Sequence, residues 1–183
     1  EAVARARGLR PRSFIFPFNR IGRLELLARH GFTCFRGANS DWYTRTPGGQ
    51  HRLFAVGRSA LKLADDLLAV PPPVTLPRHV PAGLWLIPHS MMYKGADRLV
   101  PIDRQVRKAE RGLRRAVARR AVFHLWSHPQ NLGIDTERAL AGLQRVLAAA
   151  DSYRRQGVLD IMSMAQLAEH LDRSGGRMGA DRG

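Results

Sequence analysis

Histidine carries its charge change close to neutral pH, which suits it to proton transfer and to metal ligation. Two of the seven histidines in this chain fall in one stretch, FHLWSHPQNL at 123–132, with Trp126 between them and Pro129 behind them. An apolar run leads into the stretch, so it reads as a strand. A period of two then puts His124, Trp126 and His128 on one face, with Phe123, Leu125 and Ser127 on the other. The imidazoles would stand roughly 13 Å apart at about 3.3 Å per residue, too far to share one zinc at bond lengths near ~2.0 Å. Only a helix or tight turn would bring them together, and Pro129 with the apolar approach opposes helix. As a strand residue His128 emerges at the carboxyl end, where parallel α/β folds collect catalytic groups. A histidine satisfied by a backbone carbonyl at the rim fits the same pattern.

Other strand ends carry similar groups. Asn19 follows the aromatic run SFIFPF, in which Phe14, Phe16 and Phe18 read as core. ANSDWY at 38–43 sets Asp41 beside Trp42. A carboxylate next to an indole suits a sugar, whose apolar face stacks while its hydroxyls reach the acid; a turn aspartate beside a surface-covering tryptophan suits it equally. LWLIPHSMM adds His89 and Ser90. None of these is specific alone, but four successive strands end in polar or aromatic residues.

The elements that must position these groups alternate. SFIF (13–16) is a strand closed by Pro17, and Ile21, Leu24, Leu27 and Ala28 then recur at helical spacing up to Gly31. FTCFRG (32–37) is the next strand, 38–58 an irregular excursion, and about 59–69 a helix. The prolines of PPPVTLPRHVPAG (71–83) preclude helix and predict an extended linker. LWLIPHS (84–90) is a strand, 103–120 a basic helix, and AVFHLWSHP a further strand. A long helix is expected from Asp135 to about Gln156, capped by Asp135 or Thr136, and VLDIMSMAQLAEHLDRS reads as a short strand and a helix. Strands alternating with helices predict an α/β fold with a largely parallel sheet, either doubly wound or part of a barrel. One domain is expected over 1–173, with a disordered tail at 174–183. No G-x-G-x-x-G follows a strand, so a nucleotide cofactor is not expected.

Composition narrows the classes. The 183 residues are 44% hydrophobic, as in ordinary globular domains, and no apolar run approaches the roughly 20 residues that span a bilayer. Cys34 is alone, which excludes an internal disulfide and a cysteine-based metal cluster. Lys+Arg number 30 against 15 Asp+Glu, a net +15. Only Lys62, Lys94 and Lys108 are lysines, and the 27 arginines (30 − 3) are spread along the chain among Ala, Gly and Leu. Compositional bias explains that spread better than a polyanion site, so a nucleic-acid partner is not expected. Arg104, Arg107, Arg111 and Arg114/Arg115 do recur at helical spacing, and they motivate the alternative: a non-catalytic basic module binding nucleic acid or an anionic glycan. The chain opens at Glu1 within a helical pattern and is expected to be part of a longer protein.

SFIFPFNRIGRLELLARHGFTCFRG, followed by GLWLIPHSM and VFHLWSHPQNL, resembles the carboxyl-terminal half of polysaccharide deacetylases over about residues 10–170. That resemblance implies a partial, distorted β/α barrel and a hydrolase that removes N-acetyl groups from a glycan with the help of a divalent metal, zinc foremost. Phe16 to Asn19 would match a Pro-aromatic motif lining the active-site groove, although the family's arginine just before the proline is missing and Arg12 is out of register. Asp41-Trp42 would match the later half of an Asp-x-x-Asp-Trp pattern whose first position is Ala38 here. His128 would protonate the leaving amine, and Leu125 and Trp126 would lie next to the pocket for the acetyl methyl. The implied site is therefore catalytic His128, with Asn19, Asp41, Trp42 and Trp126 binding an N-acetylated glycan. The family's Thr-Phe-Asp-Asp-like base motif is absent, and its His-x-x-x-His metal motif does not precede FPFN. His124-x-x-x-His128 has the metal spacing but follows that segment. The base and the metal ligands are expected upstream of Glu1; tight metal binding and turnover are not expected of these 183 residues alone.

Overall fold

The structure is a computed structural model that describes residues 2–37, 68–95 and 100–176. It is a mixed α/β fold of two compact units. The described part of the first comprises residues 2–37, 75–89 and 162–176. Its strands are β1 (Ser13–Ile15), β2 (Cys34–Gly37), β3 (Arg78–Val80) and β4 (Leu84–Pro88); its helices are α1 (Ala2–Ala6), α2 (Leu24–Arg29) and, late in the chain, a helix at Met164–Arg173.

The sheet order is β1-β2-β4-β3, with β1, β2 and β4 parallel and β3 antiparallel to β4. The central strand β2 is buried along all four residues, as a strand covered on both faces must be. Period-two alternation sorts its side chains. Phe35 and Leu84 pack with Leu27 of α2 and with Phe14 and Phe16, whereas Cys34, Trp85 and Ile87 pack with Ala168 and Leu171 of the Met164–Arg173 helix. Ser163 starts that helix with a capping box, accepting from the Gln166 N–H while the Gln166 carboxamide accepts from the Ser163 N–H. Trp85 Nε1 donates to Asp172 across the same interface at 2.8 Å.

The stretch expected as a plain linker contributes β3. Pro77 and Pro81 bracket its three residues at a sheet edge, the one place in a sheet where missing N–H donors are tolerated.

The described part of the second unit comprises residues 68–74, 90–95 and 100–161. It holds β5 (Met91–Met92) parallel to β6 (Leu125–Trp126), with α3 (Ile102–Arg119), α4 (Pro129–Leu132) and α5 (Thr136–Arg155); the Met164–Arg173 helix is then α6. Met91, Val106, Ala109, Leu113, Val146 and Ala150 form the core, joined by Phe123 and Leu125. Gly142 lets α5 approach closely, since a Cβ there would lie 2.4 Å from Tyr93 Oη and 2.5 Å from Ile102 Cγ2. Asp135 caps α5 as expected, accepting from the Arg138 N–H.

Among the described residues no strand follows α5. Gly157 at φ 72° ends the helix in a Schellman turn, with Gly157 N–H on Arg154 O and Val158 N–H on Tyr153 O, so Val158 cannot offer that donor to a ladder. A similar turn ends α6, with Gly176 N–H on Leu171 O at 2.8 Å, so residues 174–176 of the expected tail are an ordered helix end. Among the described residues neither sheet closes into a barrel.

Candidate functional site

The segment 123–128 contains no helical turn. Its backbone is tied to the segment around β5 at both ends. Ser90 and Met91 N–H donate to His124 O at 3.0 and 3.2 Å, and His124 N–H donates to Ser90 Oγ at 3.1 Å. Beyond the strands, Tyr93 N–H donates to Trp126 O at 2.8 Å and Ser127 Oγ returns to Tyr93 O at 2.7 Å. The faces divide as the sequence predicts. Phe123 and Leu125 pack on the core, while the rings of Trp126 and His128 meet edge to face, 5.0 Å between centroids and 87° between planes.

His128 has extended backbone at φ −96°, ψ 138° and an exposed side chain. Pro129 then starts α4, one turn that the sequence reading did not anticipate. The chain after β5 is held equally firmly. Buried Gln105 accepts from Lys94 N–H at 2.9 Å and donates to Gly95 O at 2.8 Å. Gly95, at φ +65°, lies so close to α4 that a Cβ would come 2.6 Å from Asn131 O.

Asn19 belongs to the first unit. Pro17–Asn19 form one 3-10 turn at the carboxyl end of β1, with Phe18 and Asn19 both left-handed at φ 52° and 55°. Phe18 is not core; 93% of it is exposed, because the left-handed turn swings it away from the edge-to-face cluster of Phe14, Phe16 and Phe35. The Asn19 carboxamide oxygen accepts from Arg36 Nη2 at 3.4 Å. Arg36 is 6% exposed on β2, and burial lowers its pKa from the ordinary arginine value. Next to it, Gly37 O accepts from His89 N–H at 3.2 Å and from His89 Nδ1 at 3.1 Å, so Nδ1 of that ring carries the proton.

Comparison of the chain with protein families, curated proteins and solved structures found no match.

The structure thus brings Trp126 and His128 together and pairs Asn19 with Arg36. Asp41 and Trp42 lie outside the described residues. Among the described residues no group of three His, Cys, Asp or Glu is placed to hold a metal ion, so these side chains do not fit a resident metal. His124 and His128 flank an extended strand, as the strand reading of their spacing requires.

Sequence reasoning passed over Arg36 and Gln105. Each carried a signal: Arg36 interrupts a run that must be buried on both faces, and Gln105 sits within the apolar face of α3 beside Val106 and Ala109. The basic spacing on α3 also resolves into two uses. Arg111 Nη1 donates to Leu68 O and Ala69 O at 3.2 and 2.6 Å, and Arg115 Nη1 to Pro71 O at 3.4 Å. These two guanidiniums clamp backbone, while Arg104, Arg107 and Arg114 are exposed. Chemically, the β6 end offers an exposed imidazole beside an apolar wall, which is the composition of a proton donor for a leaving group.

Proposed function

We propose that this chain is the leaving-group half of a glycan N-deacetylase, the carboxyl-terminal part of a deacetylase-like β/α barrel. The observation that supports it best is the exposed His128 imidazole beyond a parallel strand, edge-on to Trp126. In that role His128 donates a proton to the sugar nitrogen as the amide C–N bond breaks, and Trp126 forms the apolar wall beside the acetyl methyl. Ser127, through Tyr93 O, holds the peptide that carries the imidazole.

The described residues do not fit a metal site, and on this reading the base and any metal ligands belong to other parts of the full-length protein. The carboxyl ends of β1, β2 and β4 also collect Asn19, Gly37 and His89, which is the side of a parallel sheet where ligands bind.

Histidine-selective NMR of the 183-residue chain, titrated with tetra-N-acetylchitotetraose, tests the reading. His128 resonances are expected to move on addition of the sugar, while those of His30, exposed at the end of α2, stay in place. An unmoved His128 at saturating sugar would contradict it.

A further inference from the structure

Arginine on a helix surface commonly meets a carboxylate three or four residues away, and α5 follows that rule. Arg138 lies 3.6 Å from Asp135, and Asp151 holds Arg154 and Arg155 at 2.7 and 3.0 Å. Arg145 reaches across to Asp103, the acid in the first turn of α3. The outer face of α3 is different. Arg104, Arg107 and Arg114 are exposed, and among the described residues none of them forms an ion pair with a carboxylate. Glu110 stands three residues after Arg107 and four before Arg114, and offsets part of their charge without pairing with either.

The helix beneath this row is fixed. Val106, Ala109 and Leu113 pack in the core of the second unit, and Arg111 and Arg115 hold the backbone of 68–71. Arg107 and Arg114 share one face two turns apart, roughly 10 Å along the axis. That separation is about the length of one disaccharide. A guanidinium fork matches a carboxylate and takes it through two parallel hydrogen bonds. The helix has no aromatic residue, so it gives nucleic-acid bases nothing to stack on.

We infer that the outer face of α3 binds an acidic glycan that carries a carboxylate on every second sugar. The choice of a glycan rests on the proposed deacetylase reading, and it names a substrate class: a polymer in which uronic acid alternates with an N-acetylated sugar. Arg107 and Arg114 take successive carboxylates, and Arg104, one turn before Arg107, lengthens the row.

The test is a calorimetric titration of the 183-residue chain with a hyaluronan octasaccharide, with neutral tetra-N-acetylchitotetraose, and with DNA of the same charge as the octasaccharide. At low ionic strength wild type is expected to bind the octasaccharide at least tenfold tighter than the neutral sugar, and to lose most of that advantage at physiological salt. Arg107→Gln with Arg114→Gln keeps helix propensity and is expected to weaken octasaccharide binding about tenfold, the combined scale of two exposed ion pairs, with the thermal midpoint unchanged. Arg20→Gln with Arg29→Gln removes the same charge from exposed positions of the first unit and is expected to leave binding within about twofold of wild type.

Equal losses in the two double variants would overturn the inference, since net charge alone would then account for binding. So would equal affinity for the acidic and neutral sugars. Tighter binding of DNA than of the octasaccharide, with the same dependence on Arg107 and Arg114, would overturn the glycan assignment in favour of a nucleic acid. Arginine-dependent binding of the octasaccharide together with His128 resonances unmoved by the neutral sugar would uphold this surface and overturn the deacetylase reading.

Discussion

Gly142→Ala asks whether the close approach of α5 to Tyr93 supports the strand that carries His128. In an isolated helix the substitution would stabilise by about 1 kcal/mol, because alanine restricts the unfolded chain and suits the helix. Here the new Cβ would sit 2.4 Å from Tyr93 Oη and 2.5 Å from Ile102 Cγ2, both inside any allowed contact. Overpacking a tight core costs roughly 1–3 kcal/mol. Pushing the Tyr93 hydroxyl off Ala139 O, which it meets at 2.8 Å, adds about 1–3 kcal/mol for a buried donor left unmatched.

Less the helix gain, the net is a loss of about 1–5 kcal/mol, with about 3 kcal/mol the central expectation. Urea denaturation followed by circular dichroism reads it as a lower midpoint at constant slope. The double variant with Tyr93→Phe removes one of the two clashing atoms, so G142A should cost less in that background, a coupling a double-mutant cycle measures. If Gly142→Ala matched or exceeded wild type in stability, the packing of α5 on Tyr93 would be refuted, and with it the support inferred for the Tyr93–Trp126 and Ser127–Tyr93 hydrogen bonds.

Burial pushes the Cys34 thiol up to about 11 from an ordinary 9.0, although Thr33 and Arg12 pull it the other way. The unfolded thiol ionises first as pH rises, so stability is expected to fall through that window and to fall less in Cys34→Ala; equal pH slopes in the two would contradict the burial. For the same reason the native thiol should resist alkylation until the chain unfolds, which a mass measurement of iodoacetamide labelling across a urea series would check. Asp172→Ala strands the Trp85 Nε1–H it accepts at 2.8 Å and is expected to cost about 1–3 kcal/mol by urea denaturation, with Asp172→Asn losing less.

The alternation of strand and helix was legible because hydrophobic period alone encodes it. Leu84, Trp85, Leu86 and Ile87 sort to opposite faces as a period of two demands, and Phe123 and Leu125 to the core. The edge strand at Arg78–Val80 was hidden because its prolines argue against any regular element, and only a sheet edge tolerates them. A strand after Gly157 was expected from apolar composition, but local helix-end chemistry took the donor first.

Phe18 looked like core because it continues an alternating aromatic run. The alternation breaks at the left-handed turn, which no periodicity foretells. In the second unit the Trp126–His128 pairing followed from strand period, whereas in the first unit the Arg36–Asn19 contact joins residues on different elements and could come only from the strand register.

In the proposed function His128 protonates the departing sugar nitrogen of an N-acetylated glycan. Acetate release from N-acetylated oligosaccharides by the full-length protein containing this chain, compared with its His128→Ala variant, measures that step directly. Wild type is expected to release acetate and the variant to lose about a hundredfold or more, the usual scale for removing a general acid, with the thermal midpoint unchanged. Equal rates in the two proteins, or no acetate from wild type, would contradict it.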